Sequence, residues 1–269
     1  MLKQISLLIL CAVAIVFFAT PVHACTSAVV SGKVTLDGRP LLWKNRDTDF
    51  MRNHVDYVKG ERYDFIAVVN SANAYLKEAW MGTNSAGFAL MNTQSYNLVD
   101  VKGDEERGAA NGRVIYRALE VCATVEDFCH FLDTISKPSD IEANFGVIDA
   151  QGGAAMFEVD YYKYVMYDAN NPKDAPYGYI ARTNFSFAGK VNEGAGYVRY
   201  MEADQVLMKA SATGSITPQF IFNDLSRSFR NCMLDIDLRS GEYNRPQASG
   251  WFVDQDFIPR SSTSCSVVV

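Results

Sequence analysis

The sequence predicts an α+β fold built on antiparallel sheets. Its element signals come in segregated blocks, in the order strands, two helices, strands, two helices, strand, which suits an α+β layering better than a βαβ repeat. Neighbouring strand signals are joined by short Gly- and Asp-bearing turns of hairpin type. The chain has 269 residues and shows no internal repeat, low-complexity segment or second-domain linker. Without its apolar leader about 245 residues remain, enough for one domain with a well-buried core.

In chain order, residues 26–31 and 40–45 are two apolar runs around Val34-Thr35-Leu36-Asp37-Gly38-Arg39-Pro40, a hairpin signature. The second run leads into the polar Asn45-Arg46-Asp47-Thr48-Asp49. Strands are predicted at Tyr63–Asn70, Tyr75–Met81 and Phe88–Thr93, the last after the turn Asn84-Ser85-Ala86-Gly87. Residues 99–112 are charged and Gly-bearing, hence a surface loop, and 51–57 also reads as loop. Val114, Ile115, Ala118, Leu119 and Cys122 recur at helical spacing. Thr124 with Asp127 forms a capping-box pattern ahead of Phe128, Phe131, Leu132 and Ile135, and Pro138 closes that helix. Strands return at Asn144–Asp149 and Ala154–Asp160 around the turn Gln151-Gly152-Gly153, then at Tyr164–Asp168 and Tyr179–Asn184. Helical spacing resumes from Gly196 to Ala212, and Thr217-Pro218 supplies an N-cap and first helical residue for a helix to about Phe229. Thr263–Val269 reads as a final strand.

The formal net charge is -6 with no Lys/Arg run, which argues against nucleic acid as a partner, since phosphate binding needs a concentrated basic face. Residues 1–24 have the layout of a secretory signal peptide: Lys3, an apolar run from Ile5 to Ala19, Pro21, and small residues at Val22 and Ala24. The expectation is an exported protein, periplasmic or secreted, with residues 25–269 as one domain. That apolar run is short for a membrane span and no later segment matches one. Homo-oligomerisation is left open. Of six cysteines, Cys11 leaves with the leader, and the odd number remaining keeps at least one thiol unpaired. Cys25 is the natural candidate; Cys122 and Cys129 read equally as a pair or as two unpaired core cysteines.

Cleavage after Ala24 makes Cys25 the first residue, with a thiol and an α-amine on neighbouring atoms. A thiol with a reference pKa near 8.5 is mostly protonated at neutral pH, whereas an α-amine near 8 is partly neutral and can take its proton. No histidine is then needed. His54 reads as a solvated loop residue and His130 as a helix residue, so a Cys/His hydrolase is the weaker reading. No Cys/His cluster has zinc-like spacing, and neither metal nor cofactor is expected.

Cys25-Thr26-Ser27, Asp37-Gly38 and Trp43-Lys44-Asn45-Arg46-Asp47 resemble the opening of the N-terminal-nucleophile (Ntn) hydrolases of the choloylglycine hydrolase and penicillin V acylase group and related acyltransferases. The resemblance continues in Gly82–Ala89, Thr183-Asn184, Gly196-Tyr197-Val198-Arg199 and Ser262-Thr263-Ser264, in order over nearly the whole mature chain. It implies an αββα sandwich, two antiparallel sheets between helical layers, and cleavage of non-peptide amide bonds. By the same resemblance Cys25 is the nucleophile, Asp47 the carboxylate holding amine and thiol, Asn184 the amide orienting the N-terminus, and Arg199 the late active-site arginine. Asn92 is the candidate oxyanion donor. Taken singly, Asp47 and Arg46 read as a loop ion pair, Asn184 and Asn92 as turn or strand-end residues, and Arg199 as a solvated helix residue; the ordered set gives them their roles.

Two departures from the family pattern stand out. The usual Arg-Asn-x-Asp is here Lys44-Asn45-Arg46-Asp47, so Lys44 or Arg46 takes the supporting role, and lysine lacks the planar fork of arginine. The chain also stops soon after the serine-rich strand, a truncation that would leave a sheet edge open.

The functional expectation is an exported amidohydrolase acting on a small-molecule N-acyl amide such as a conjugated bile salt, penicillin V or an N-acyl amino acid. Residues 51–57 and 95–102 are candidate loops for an apolar acyl group. One alternative is an acyltransferase of the same fold. Another is an envelope protein lipidated at Cys25, disfavoured by Val22 and His23, which fit a lipobox poorly.

Overall fold

The computed structural model describes residues 24–99, 108–240, 254 and 256–269. The leader up to His23 lies outside the described residues, as do residues 100–107 of the predicted 95–102 and 99–112 loops.

The opening hairpin forms as the turn sequence demands. β1 (Thr26–Val30) pairs antiparallel with β2 (Leu41–Asp47), Ala28 opposite Trp43. β10 (Tyr179–Arg182) adds on the far side of β1 and β13 (Thr263–Val268) on the far side of β2. The second sheet is a seven-stranded meander of β3 (Asn53–Val58), β4 (Phe65–Asn70), β5 (Met81–Asn84), β6 (Ala89–Gln94), β7 (Ala143–Ile148), β8 (Ala154–Val159) and β9 (Tyr164–Asp168). A two-stranded ribbon, β11 (Arg230–Asn231) and β12 (Ile236–Asp237), follows the last helical segment.

Strand periodicity sorts the side chains into three apolar layers. On β7 and β8, Phe145, Val147, Phe157 and Val159 point outward and are covered by helices α1 (Asn111–Val121) and α2 (Val125–Thr134). Their alternates Ile148, Ala154 and Met156 point inward and meet Val29 and Leu42 of the small sheet. On the other face of that sheet, Ala28, Val30, Leu41 and Trp43 are covered by α3 (Tyr197–Ser211) and by Ile221 and Leu225. Helix, sheet, sheet, helix is the resulting αββα order. The sheets pack tightly at Gly146, where a Cβ would run into Met91, Val29 and Leu42.

Local chemistry accounts for the helix ends. Thr124 accepts from the Asp127 N–H at 3.0 Å while Asp127 Oδ2 accepts from the Thr124 N–H at 3.1 Å, a complete capping box. Asn84 accepts from the Ala86 and Phe88 N–H groups and donates to the carbonyls of Leu119 and Cys122, tying the β5–β6 turn to the end of α1.

The structure corrects several elements. Residues 75–81 are not a strand: Ala74–Leu76 is a 3₁₀ turn and β5 starts only at Met81. Residues 51–57 are not all loop, because β3 occupies Asn53–Val58 as the edge of the large sheet, an edge strand too polar to announce itself by alternation. α1 begins within the predicted loop, at Asn111. The segment after Pro218 is one α-turn, Pro218–Phe220, followed by a π-turn, Ile221–Leu225, and does not reach Phe229. Cys122 and Cys129 are unpaired, as are Cys25, Cys232 and Cys265; Cys122 is buried under the large sheet, and Cys129 Sγ lies 3.8 Å from Met166 Sδ.

Candidate active site

The site lies at the start of β1, the end of β2 and the loop after β10, where the small sheet brings three sequence-distant segments together. Asn184 sits just beyond β10, with its backbone bridged to Ala195. Its Oδ1 accepts from the Cys25 N–H at 3.0 Å, and its Nδ2 donates to the Gln94 carbonyl at 2.9 Å. Arg199, in the first turn of α3 and fully buried, donates through Nη2 to the same Asn184 Oδ1 at 2.8 Å. Through Nη1 it donates to the Cys25 carbonyl at 2.7 Å and Thr26 Oγ1 at 2.8 Å. Burial pulls the Arg199 guanidinium down to about 10, still charged at neutral pH. Gly196 explains the motif that precedes it: φ is +85°, and a Cβ there would strike the Arg199 guanidinium and Thr183 Oγ1.

Cys25 is buried, and its Sγ lies 3.9 Å from the main-chain oxygen of Asp47. The Asp47 carboxylate turns to the C-terminal strand: Oδ1 accepts from Thr263 Oγ1 at 2.6 Å and Oδ2 lies 3.7 Å from Arg260 Nη1. Oδ2 has no hydrogen-bond partner. Burial pushes the Asp47 carboxyl up to about 6, against the pull of the Thr263 hydroxyl and of Arg199, Arg260 and Lys44. Thr263, from the Ser262-Thr263-Ser264 motif, thus joins the site through Asp47. Arg260 escaped the sequence reading because a lone arginine before a strand carries no signal.

Lys44 and Arg46 both point between the sheets. Lys44 Nζ donates at 3.0 Å to the Trp80 carbonyl and to Asn92 Oδ1, just past the last β5–β6 pair, Met81 with Met91. Arg46 Nη2 donates to Asn70 Oδ1 at 2.7 Å, and the guanidinium lies 4.9 Å from the Trp80 ring centre. Burial lowers both cations, the Arg46 charge lowers Lys44 further, and negative charge on the Cys25 or Cys265 sulfur works to raise them. The bond from Lys44 fixes the Asn92 amide with Nδ2 as the end turned away from the ammonium. Among the described residues, six of the seven buried side-chain polar atoms without a partner belong to Asn45, Arg46, Asp47, Trp80, Arg199 and Arg260. Orphans of this kind normally mark unfilled polar chemistry, and here they cluster around one end of the sandwich.

Some predicted features fall away from this site. Gly82–Ala89 is a structural device through Asn84, as described above. His54 lies on the exposed edge strand with Nδ1 3.0 Å from Ser71 Oγ, and His130 faces solvent 3.8 Å from Glu126, so neither is bonded to Cys25. Among the described residues no group of three or more His, Cys, Asp or Glu side chains is placed to hold a metal. No helix among them is long and apolar enough to cross a membrane.

Two antiparallel sheets between helical layers, with a cysteine at the head of the central hairpin gripped by an asparagine and an arginine, define a protein of the Ntn-hydrolase class. The chain belongs to the acyl-coenzyme A:6-aminopenicillanic acid acyl-transferase family, whose model matches residues 35–216. No curated protein matches it. Its fold is similar to that of a Caenorhabditis elegans ortholog of N-acylethanolamine-hydrolyzing acid amidase, at 15% identity over 75% of this chain and 89% of that chain, with a TM-score of 0.50. A conjugated bile acid hydrolase variant from Clostridium perfringens aligns at 14% identity, 79% and 83% coverage and a TM-score of 0.49. Penicillin V acylase from Agrobacterium tumefaciens aligns at 17% identity, 75% and 71% coverage and a TM-score of 0.43.

Proposed function

We propose that this chain is an exported amidohydrolase whose nucleophile is Cys25, freed as the N-terminal residue by cleavage after Ala24. The observation that carries the reading is the grip on Cys25: Asn184 Oδ1 on its nitrogen at 3.0 Å and Arg199 Nη1 on its carbonyl at 2.7 Å. Both contacts survive cleavage of the preceding peptide bond, so a new α-amine would be born already oriented. A peptide nitrogen is no base; the amine made from it is. Processing is therefore also activation.

In this scheme the α-amine takes the Cys25 thiol proton as sulfur attacks the substrate carbonyl. The oxyanion is met by main-chain N–H groups and the Nδ2 end of Asn92. The carbon–nitrogen bond breaks, and the leaving amine departs with the proton held by the Cys25 amine. Water then attacks the thioester, gives a proton to the same amine, and releases the acid and the thiol. Asp47, charged, offsets the positive charge of the protonated amine from its place against Thr263 and Arg260, and Lys44 and Arg46 support the anionic intermediates. The substrate is an N-acyl amide of small-molecule size, of the kind exemplified by conjugated bile salts, penicillin V and N-acyl amino acids.

The acyltransferase named in the matching family favours a second reading, in which an amine replaces water in the final step. Screening those amides with and without an added amine acceptor, for wild type and Cys25→Ser, tests both. Release of free acid lost in Cys25→Ser supports hydrolysis, and acceptor-dependent amide formation supports transfer. Turnover that survives Cys25→Ser contradicts both.

A further inference from the structure

Asn184 is the residue through which the nucleophile's nitrogen is held, yet it lies outside any strand. β10 ends at Arg182, and Asn184 has as its ladder contact the isolated bridge to Ala195. The carbonyls on either side of Asn184 therefore need partners from elsewhere, since an unmet buried carbonyl is costly. One side chain supplies both. Asn144, fully buried on β7 and in register with Thr93 and Glu158, donates through Nδ2 to the Thr183 carbonyl at 3.3 Å and the Phe185 carbonyl at 3.2 Å. The same Nδ2 also donates to Thr93 Oγ1 at 3.1 Å, so its two N–H groups are shared among three acceptors. Its orientation is fixed at the other end, where Oδ1 accepts from Ser186 Oγ at 2.6 Å.

We propose that Asn144 is a positioning residue for this site: by clamping the carbonyls before and after Asn184, it sets where Asn184 Oδ1 meets the Cys25 nitrogen. The inference rests on the reading of Cys25 as an N-terminal nucleophile. A second asparagine provides the control. Asn97, also buried, holds the same loop farther along, donating to the carbonyls of Ser186 at 2.9 Å and Lys190 at 3.0 Å and accepting from the Ser186 N–H at 2.8 Å. Asn97 meets the Phe185–Ser186 peptide from its N–H side but makes no hydrogen bond to the Thr183–Asn184 peptide, whose carbonyl Asn144 holds. If loop stability were all that mattered, the two residues would be interchangeable.

The test needs no substrate. On the processed protein beginning at Cys25, the rate of Cys25 alkylation by iodoacetamide is followed by peptide mass spectrometry across neutral and alkaline pH, with thermal melting measured alongside. Wild type is expected to react well at neutral pH, where an ordinary thiol is mostly protonated. Asn144→Ala is expected to react at least ~10-fold more slowly there, as misplacement of a reacting group costs rate, with its profile moved up toward that of an ordinary cysteine. Asn97→Ala is expected to melt lower and keep the wild-type profile. Asn144→Asp keeps the shape of the side chain and guards against a misfolded alanine variant; its carboxylate repels the two carbonyls, so it should share the slow profile. An unchanged profile in Asn144→Ala or Asn144→Asp, or an equal shift in Asn97→Ala, overturns the inference alone. A wild-type Cys25 no more reactive than free cysteine sinks the nucleophile reading and this inference with it.

Discussion

Asn184 Oδ1 accepts at once from the Cys25 nitrogen, at 3.0 Å, and from Arg199 Nη2, at 2.8 Å. One carbonyl oxygen thus couples the first strand of the small sheet to the first turn of α3. Replacing Asn184 by alanine removes the acceptor that two buried donors share. On the proposed mechanism kcat/KM should fall by about 10²-fold or more, mainly in kcat. Steady-state kinetics on any turned-over amide checks the split.

Arg199 carries three hydrogen bonds from a fully buried position. Arg199→Lys keeps charge but cannot reach Cys25, Thr26 and Asn184 together from one ammonium. Loss of charge-assisted bonds in a buried site is expected to cost about 3 kcal/mol, read as a lower denaturant midpoint with unchanged slope. Activity should fall with it.

Asp47 gives the site a pH signature. Its carboxyl is raised from 3.8 to about 6, with burial the largest cause. The folded state therefore holds a proton that the unfolded chain has released, so this group's stabilising contribution is full below pH 3.8 and lost as pH rises past about 6. Asp47→Asn mimics the protonated form and should be the more stable protein at neutral pH, by an amount on the order of 3 kcal/mol. The same variant should lose activity, because the mechanism uses the charged form. Denaturation curves for both proteins at acid and neutral pH check it; a difference that does not grow with pH contradicts it.

Thr124 tests the fold apart from the site. Removing its capping-box hydroxyl in Thr124→Ala should cost about 1 kcal/mol of stability and leave catalytic rates alone, since the box caps α2 on the outer face of the large sheet.

Most of the fold was legible where burial imposes a period. The hairpin turns, the alternation on β7 and β8 and the Thr124–Asp127 box each state their structure locally. The edge strand β3 was not legible, because half its residues face solvent and its sequence, Asn53-His54-Val55-Asp56-Tyr57-Val58, lacks a clean apolar face. The π-turn after Phe220 has no sequence signature that separates it from an α-helix. At the site, the order of short motifs brought Cys25, Asp47, Asn184 and Arg199 forward, and the fold gathers all four into one end of the sandwich. What sequence could not supply was direction. Asp47 meets the Cys25 thiol through its main-chain oxygen and sends its carboxylate to Thr263 and Arg260, and Asn92 is reached by Lys44. Gly82–Ala89, part of the same motif series, proved to be a tether for α1, because a turn asparagine that caps a helix and one that binds substrate look alike in sequence.

The central claim is that processing turns the Cys25 nitrogen into the base for the Cys25 thiol. It is tested most directly by the intact mass of the exported protein before and after treatment with iodoacetamide, with the modified peptide sequenced. The expected result is a chain beginning at Cys25, its amine and thiol both free, alkylated preferentially at that residue. A chain that retains Ala24, or a Cys25 carrying a diacylglycerol adduct, would contradict it.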